Sequence, residues 1–195
     1  MRRFDRDFYS RNTLTVSKEL LGKYLVHKVG AIELVSKIVE VEAYMGPEDK
    51  AAHSYGGRRT ERNEVMYGEA GHAYVFVIYG MYNCVNIVTS EIGRPEAVLI
   101  RALEPVDGLD KMAELRYGKK YAELEKRQIL TLTNGPGKLT ISMDITRKHN
   151  GLDLCGDELY LIDSENNEPM DIVETKRINI DYAEEAIDYP WRFYI

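Results

Sequence analysis

Residues 72–88, His-Ala-Tyr-Val-Phe-Val-Ile-Tyr-Gly-Met-Tyr-Asn-Cys-Val-Asn-Ile-Val, constrain the fold more than any other stretch. β-branched and aromatic residues crowd both sides of Tyr79-Gly80-Met81, where the chain must turn. Two strands joined by so short a reversal run antiparallel. Further β-rich runs occupy 24–28 and 31–36 around Gly30, then 37–44, Ala97 to Leu103, and the region of Leu159–Asp163. Helical signals are scarcer. One short helix is expected from Val16 to Leu21, capped by Thr15 and stopped by Gly22. Another is expected from an Asp107 cap toward Gln128, broken or bent near Gly118. This order predicts an α+β fold: one compact mixed domain over residues 1–195, around a largely antiparallel sheet with a protruding β-hairpin.

Composition narrows the function classes. No apolar run approaches the roughly 20 residues of a membrane helix, so no membrane partner is expected. The start, Met-Arg-Arg-Phe-Asp-Arg-Asp, lacks a secretory apolar stretch, and the two cysteines, Cys84 and Cys155, form no CxxC pair. A reducing cytoplasm is the expected location. The net charge of −6 speaks against a nucleic-acid partner at first sight. However, residues 153–195 hold 12 acids against 3 bases, and the other 152 residues hold 20 against 23. Local basic patches, not the whole-chain sum, decide phosphate binding.

Several residues carry chemical promise. Period-two alternation places Glu40, Glu42 and Tyr44 on one face of the 37–44 strand. Glu42, between Val41 and Ala43, suits a general base in a half-enclosed site, although the residues alone favour a solvent-facing glutamate. Glu40 adds a second carboxylate roughly 6–7 Å away, a spacing that any strand with glutamates at i and i+2 would show. Arg101 lies within Ala-Val-Leu-Ile-Arg-Ala-Leu and must find an anion or solvent: a structural carboxylate such as Glu104, or a substrate phosphate. Tyr79, beside Gly80 at the reversal, has little core to join and suits stacking on bases. The polar stretch from Met45 to Gly71 is too long for a simple connector, and its Arg58, Arg59 and Arg62 are candidates for phosphate contact, as is Lys138 further on.

Other chemistries fail on spacing. Asn-Gly-Pro-Gly-Lys-Leu at 134–139 has Leu132 and Leu139 where a phosphate-binding loop needs Gly and Ser or Thr. His27, His53, His72 and His149 lack metal-ligand spacing, so neither a metal nor another cofactor is expected.

Taken together, the chain resembles the alkyladenine (3-methyladenine) DNA glycosylase family. The resemblance rests on Val-Glu-Ala-Tyr-Met-Gly-Pro-Glu-Asp-Lys-Ala-Ala-His (41–53), Arg-Asn (62–63) and Ile-Tyr-Gly-Met-Tyr-Asn-Cys-Val-Asn (78–86). It continues through Leu-Ile-Arg-Ala-Leu-Glu-Pro (99–105), Asn-Gly-Pro-Gly-Lys-Leu (134–139), Asn-Gly-Leu-Asp-Leu (150–154) and the aromatic ending, which is similar to that of bacterial members. The resemblance implies a monomer that flips damaged purines out of double-stranded DNA and hydrolyses the glycosidic bond. In that scheme Glu42 activates water and Arg101 helps to hold it. Tyr44 stacks on one face of the base, with His53 and Phe76 toward the other. Asn86 lies at the base edge, and Tyr79 fills the gap left in the duplex. Phe76 stands where vertebrate relatives are expected to carry tyrosine, so contacts through that hydroxyl are lost. The lesions in play are 3-methyladenine, 7-methylguanine, ethenoadenine and hypoxanthine. Alkylation at N3 or N7 makes the purine a cationic leaving group, so one base can suffice, and aromatic walls favour a cation. A non-catalytic lesion binder would not need Glu42, and a nucleoside hydrolase would not need an exposed Tyr79.

Overall fold

A computed structural model describes residues 2–163 and 170–195 of the chain. Its spine is a long strand. β1 (Tyr24–Val29) turns at Gly30, which takes φ 63°, into β2 (Ile32–Tyr44). The expected runs 31–36 and 37–44 are therefore one strand of 13 residues. β3 (Ala73–Ile78), β4 (Tyr82–Thr89) and β5 (Glu96–Asp107) follow, then β6 (Leu159–Ile162), β7 (Val173–Thr175) and β8 (Arg192–Tyr194). The strand order is β3-β4-β5-β2-β1-β6, and every described pairing between strands is antiparallel. β2 pairs with β5 along one edge; on the other it pairs first with β1 and then, at Glu40–Glu42, with β8. The last strand thus joins the same sheet as the first, as the α+β expectation requires.

Helices cover the sheet where apolar residues recur at helical spacing. α1 (Arg6–Tyr9) is followed by α2 (Thr13–Leu20), which buries Val16 and Leu20 in the main core. α2 begins earlier than expected because Asn12, not Thr15, caps it: the Asn12 side chain accepts from the amides of Leu14 and Thr15. The helix expected from an Asp107 cap is also corrected. Asp107 ends β5, and Gly108, at φ 75°, occupies the cap position of α3 (Leu109–Tyr117). A Cβ on Gly108 would come 2.7 Å from Glu33 O, so only glycine fits that approach. After Gly118 the chain forms a separate short helix, α4 (Lys126–Leu130), rather than a bent continuation. α5 (Pro136–Ser142) begins within Gly-Pro-Gly, with proline in its first turn and Leu139 buried.

No helix among the described residues is long and apolar enough to cross a membrane.

Candidate active site

Two irregularities in β2 and β5 aim the central side chains. Glu40 pairs with Ala102 and Val41 with Ile100, leaving Arg101 as the extra residue of a β-bulge. A bulge twists a strand and re-aims its side chain. The Arg101 guanidinium consequently reaches both β2 carboxylates: Nε donates to Glu40 Oε1 at 3.1 Å, and Nη1 lies 3.3 Å from Glu42 Oε2. The expected alternative partner, Glu104, pairs with Lys37 instead. Glu40 is shared with Arg192 at 3.4 Å, so it serves as a counter-ion between two guanidinium groups.

Glu42 is the buried carboxylate of the group. Its side chain is 0% exposed, which overturns the solvent-facing reading. Ile178 N–H donates to Oε1 at 2.8 Å and Tyr44 O–H donates to Oε2 at 2.9 Å. The Arg101 guanidinium lies against the same carboxylate as an ion-pair partner, so the two hydrogen bonds leave acceptor capacity on Glu42 unused. Burial pushes the Glu42 carboxyl above the usual carboxylate range, opposed by the Arg101 charge and the Ile178 and Tyr44 donors.

Tyr44, Arg101 and Ile178, which hold Glu42, also line a cavity of about 230 Å³, small for a ligand site; Glu42 itself lies behind them and is not part of the lining. Tyr44, His53, Phe76, Asn86, Arg101 and Tyr79 all line it, so the fold collects six of the expected residues around one space. His53 meets Phe76 edge-on with ring centroids 4.6 Å apart, and its Nδ1 bonds the Tyr74 hydroxyl at 2.8 Å. Burial, then Arg62 and Arg58, push the His53 pKa down to about 4. The imidazole is therefore neutral near pH 7. Asn86 commits Nδ2 to the Tyr74 carbonyl at 3.0 Å.

Tyr79 stands at the rim. It and Gly80 both take left-handed φ, 51° and 71°, in the tight turn between β3 and β4. That conformation is costly for tyrosine and ordinary for glycine, yet the ring is 79% exposed. Among the expected backbone contacts, Arg58 and Arg62 have no carboxylate partner among the described residues, and both flank His53. Arg59 is engaged by Glu64 and Lys138 by Asn134, so both would have to exchange partners to reach a phosphate.

Sequence reasoning missed the floor of the site. Arg177 and Asp49 form a fully buried bidentate pair at 2.5 and 2.8 Å. The guanidinium also donates to the Ala43 and Ala186 carbonyls. It is held between the rings of Tyr44 and Trp191, 4.8 and 5.0 Å from their centroids. One face of Tyr44 is thereby occupied and the ring is fixed beside Glu42. The following residues, Ile178 to Ile180, form one wall, with Asn179 at φ 60°, and Tyr182 projects at the mouth. Pro136 and Gly137 of α5 close another side; a Cβ on Gly137 would sit 3.0 Å from Tyr82. The acidic C-terminal segment, residues 153–195, therefore supplies part of the cavity lining.

Comparison with known proteins identifies the family. The family model described as methylpurine-DNA glycosylase matches residues 7–195. A protein of Clostridium novyi is 58% identical over 195 residues, covering 100% of this chain and 96% of its own length. One from Clostridium acetobutylicum is 59% identical over 190 residues (97% and 92%), and one from Desulfitobacterium hafniense 57% over 195 residues (100% and 96%). All three are provisionally named 3-methyladenine DNA glycosylase. A match over nearly the whole chain, shared with relatives this similar, shows that the protein belongs to the methylpurine-DNA glycosylase family, whose work is base-excision repair of alkylated DNA.

Proposed function

We propose that the chain is a monofunctional, purine-specific glycosylase that acts as a monomer on double-stranded DNA. An alkylated or deaminated purine is flipped into the cavity between Tyr44 on one side and His53 and Phe76 on the other. Glu42, with Arg101, orients and deprotonates the water that attacks C1′. The base leaves, and an abasic site remains in an uncut strand. The observation that carries this reading is the fully buried Glu42 carboxylate, fixed by two hydrogen-bond donors and the Arg101 ion pair, with Tyr44, Ile178 and Arg101 linking it to an aromatic cavity. A protein that only bound lesions would gain nothing from burying that charge, which costs stability unless it is put to use.

Incubation with methylated duplex DNA in EDTA, followed by identification of the released bases, tests the proposal. Purine release should persist in the chelator, and the strand should break only after alkali treatment. Release that stops on chelation and returns with added metal would contradict the water-and-carboxylate scheme. A borohydride-trapped protein–DNA adduct would contradict the monofunctional one.

The pH dependence has a definite sign. The base must be ionised, and burial raises Glu42 above the ordinary carboxylate value of about 4.3. Single-turnover excision of hypoxanthine, a neutral lesion, should rise with pH through that raised value and then level off. His53, neutral above about 4, should add no limb near neutrality. A rate that climbs as pH falls over the same range would make Glu42 an acid rather than a base.

Tyr79→Gly separates stacking from folding. Glycine relieves the left-handed turn, so thermal stability should equal or exceed the parent's. Lesion-duplex affinity should fall about 5- to 150-fold, the equivalent of about 1–3 kcal/mol of base–aromatic stacking. Unchanged affinity would remove Tyr79 from the role of wedge.

A further inference from the structure

Away from the cavity, the fold brings together three residues that the sequence keeps on separate segments. His27 lies on β1, His149 in the short helix Arg147–His149, and Glu158 just before β6. One donor atom from each lies within 4.8 Å of the other two. None of the three lines the cavity beside Glu42.

The hydrogen bonding at each Nδ1 allows a state in which Nε2 is free for a ligand. His27 Nδ1 is 2.6 Å from the Met143 carbonyl, a contact that requires the proton on Nδ1 and leaves a lone pair on Nε2. His149 Nδ1 lies 2.9 Å from the Thr146 amide and 3.1 Å from the Thr146 carbonyl. It can accept from the amide in one tautomer and donate to the carbonyl in the other. In the second state both rings give Nδ1–H to a backbone carbonyl and both Nε2 atoms are free. That outer hydrogen bond is the support that metal-binding histidines carry, because it fixes the ring and raises its basicity. Among the described residues, His27 Nε2 makes no hydrogen bond of its own, so a purely hydrogen-bonded triad would leave it idle.

The spacing is close to what an ion needs. His149 Nε2 and Glu158 Oε1 are 3.5 Å apart. Two ligands of a tetrahedral ion with bonds of about 2.0–2.1 Å are roughly 3.3 Å apart. The two rings stand 4.8 Å apart between centroids and nearly perpendicular. The other separations reach at most 4.8 Å; His27 is anchored in the sheet between β2 and β6, so an ion would draw the 147–149 turn and the Glu158 side chain, 56% exposed, toward it. Solvent can complete the shell with a water.

We infer that His27, His149 and Glu158 form a binding site for one divalent cation of the zinc class, clamping β1 and the entry to β6 to the 147–149 turn. Two imidazoles and one carboxylate suit zinc and its neighbours, while magnesium and calcium take oxygen ligands. The inference is independent of the reaction proposed above: the ion would support the fold and touch no reacting atom.

The test uses the full, tag-free chain, stripped with EDTA, exchanged into chelator-free buffer, and titrated with zinc chloride. One ion should bind per chain, and excess zinc should raise Tm. Cobalt(II) should give the visible absorption of a tetrahedral nitrogen–oxygen site. His149→Ala should weaken binding at least tenfold. Glu158→Gln guards against a folding artefact: its metal-free Tm should match the parent's while zinc affinity also falls at least tenfold. Absence of stoichiometric uptake, or uptake that survives in both variants, would overturn the site.

Discussion

Arg177→Met is expected to cost about 3–5 kcal/mol of folding stability, because it removes one half of a buried ion pair and strands the other. Asp49 is fully buried and would keep only its amide donors, from Met45 and Ala51. The Ala43 and Ala186 carbonyls would lose a donor, and Tyr44 and Trp191 would lose the cation between them. For a chain of this length the loss corresponds to a fall in Tm of roughly 6–20 °C. Methionine fills much of the volume, so the effect reports the charge and its hydrogen bonds more than a cavity. Adding Asp49→Asn should recover part of the loss, since no unpaired charge would then remain. Thermal or urea unfolding measures both variants. A Tm within a degree or two of the parent would show that the pair contributes little. Below its Tm, Arg177→Met should also excise more slowly, because Tyr44 would no longer be held beside Glu42.

The site contains both what the sequence made legible and what it did not. The hairpin at Tyr79-Gly80, the antiparallel order and the shared face of Glu42 and Tyr44 follow from residue types and a period of two, which are local properties. Glu42 and Tyr44 are indeed bonded to each other. The bulge at Arg101 is not local. It depends on how β5 registers against β2, and it decides that Arg101 meets Glu40 and Glu42 rather than Glu104. α5 was hidden by composition, because Gly-Pro-Gly reads as a turn until the proline is placed in the first helical turn. Asp107 invited a cap assignment, but β5 runs through it and the close approach at Gly108 moves the helix start. Arg177 gave no signal. It sits in the acid-rich segment directly after Lys176, where a basic pair reads as solvated, and its partner Asp49 is 128 residues away in sequence. His27 and His149 likewise show no ligand spacing and meet only in the fold.

Glu42→Gln decides whether the cavity is a reaction centre. Glutamine keeps the size and one carbonyl acceptor for the surrounding donors, but it cannot take a proton from water near neutral pH. The variant should bind lesion duplex much as the parent does, since the proposed recognition rests on Tyr44, Tyr79 and the arginines rather than on Glu42. Single-turnover release should fall by at least about 10²–10⁴-fold, the range of a lost general base. The fall should be smaller for 7-methylguanine only if that cationic base departs before water attacks. The measurement is the first-order rate of base release from a duplex with one hypoxanthine, the variant against the parent, with enzyme in excess. A hundredfold or greater loss with binding intact is the expected result. A rate within a few-fold of the parent, on this and the alkylated lesions, would contradict the account and leave Glu40 as the carboxylate to test.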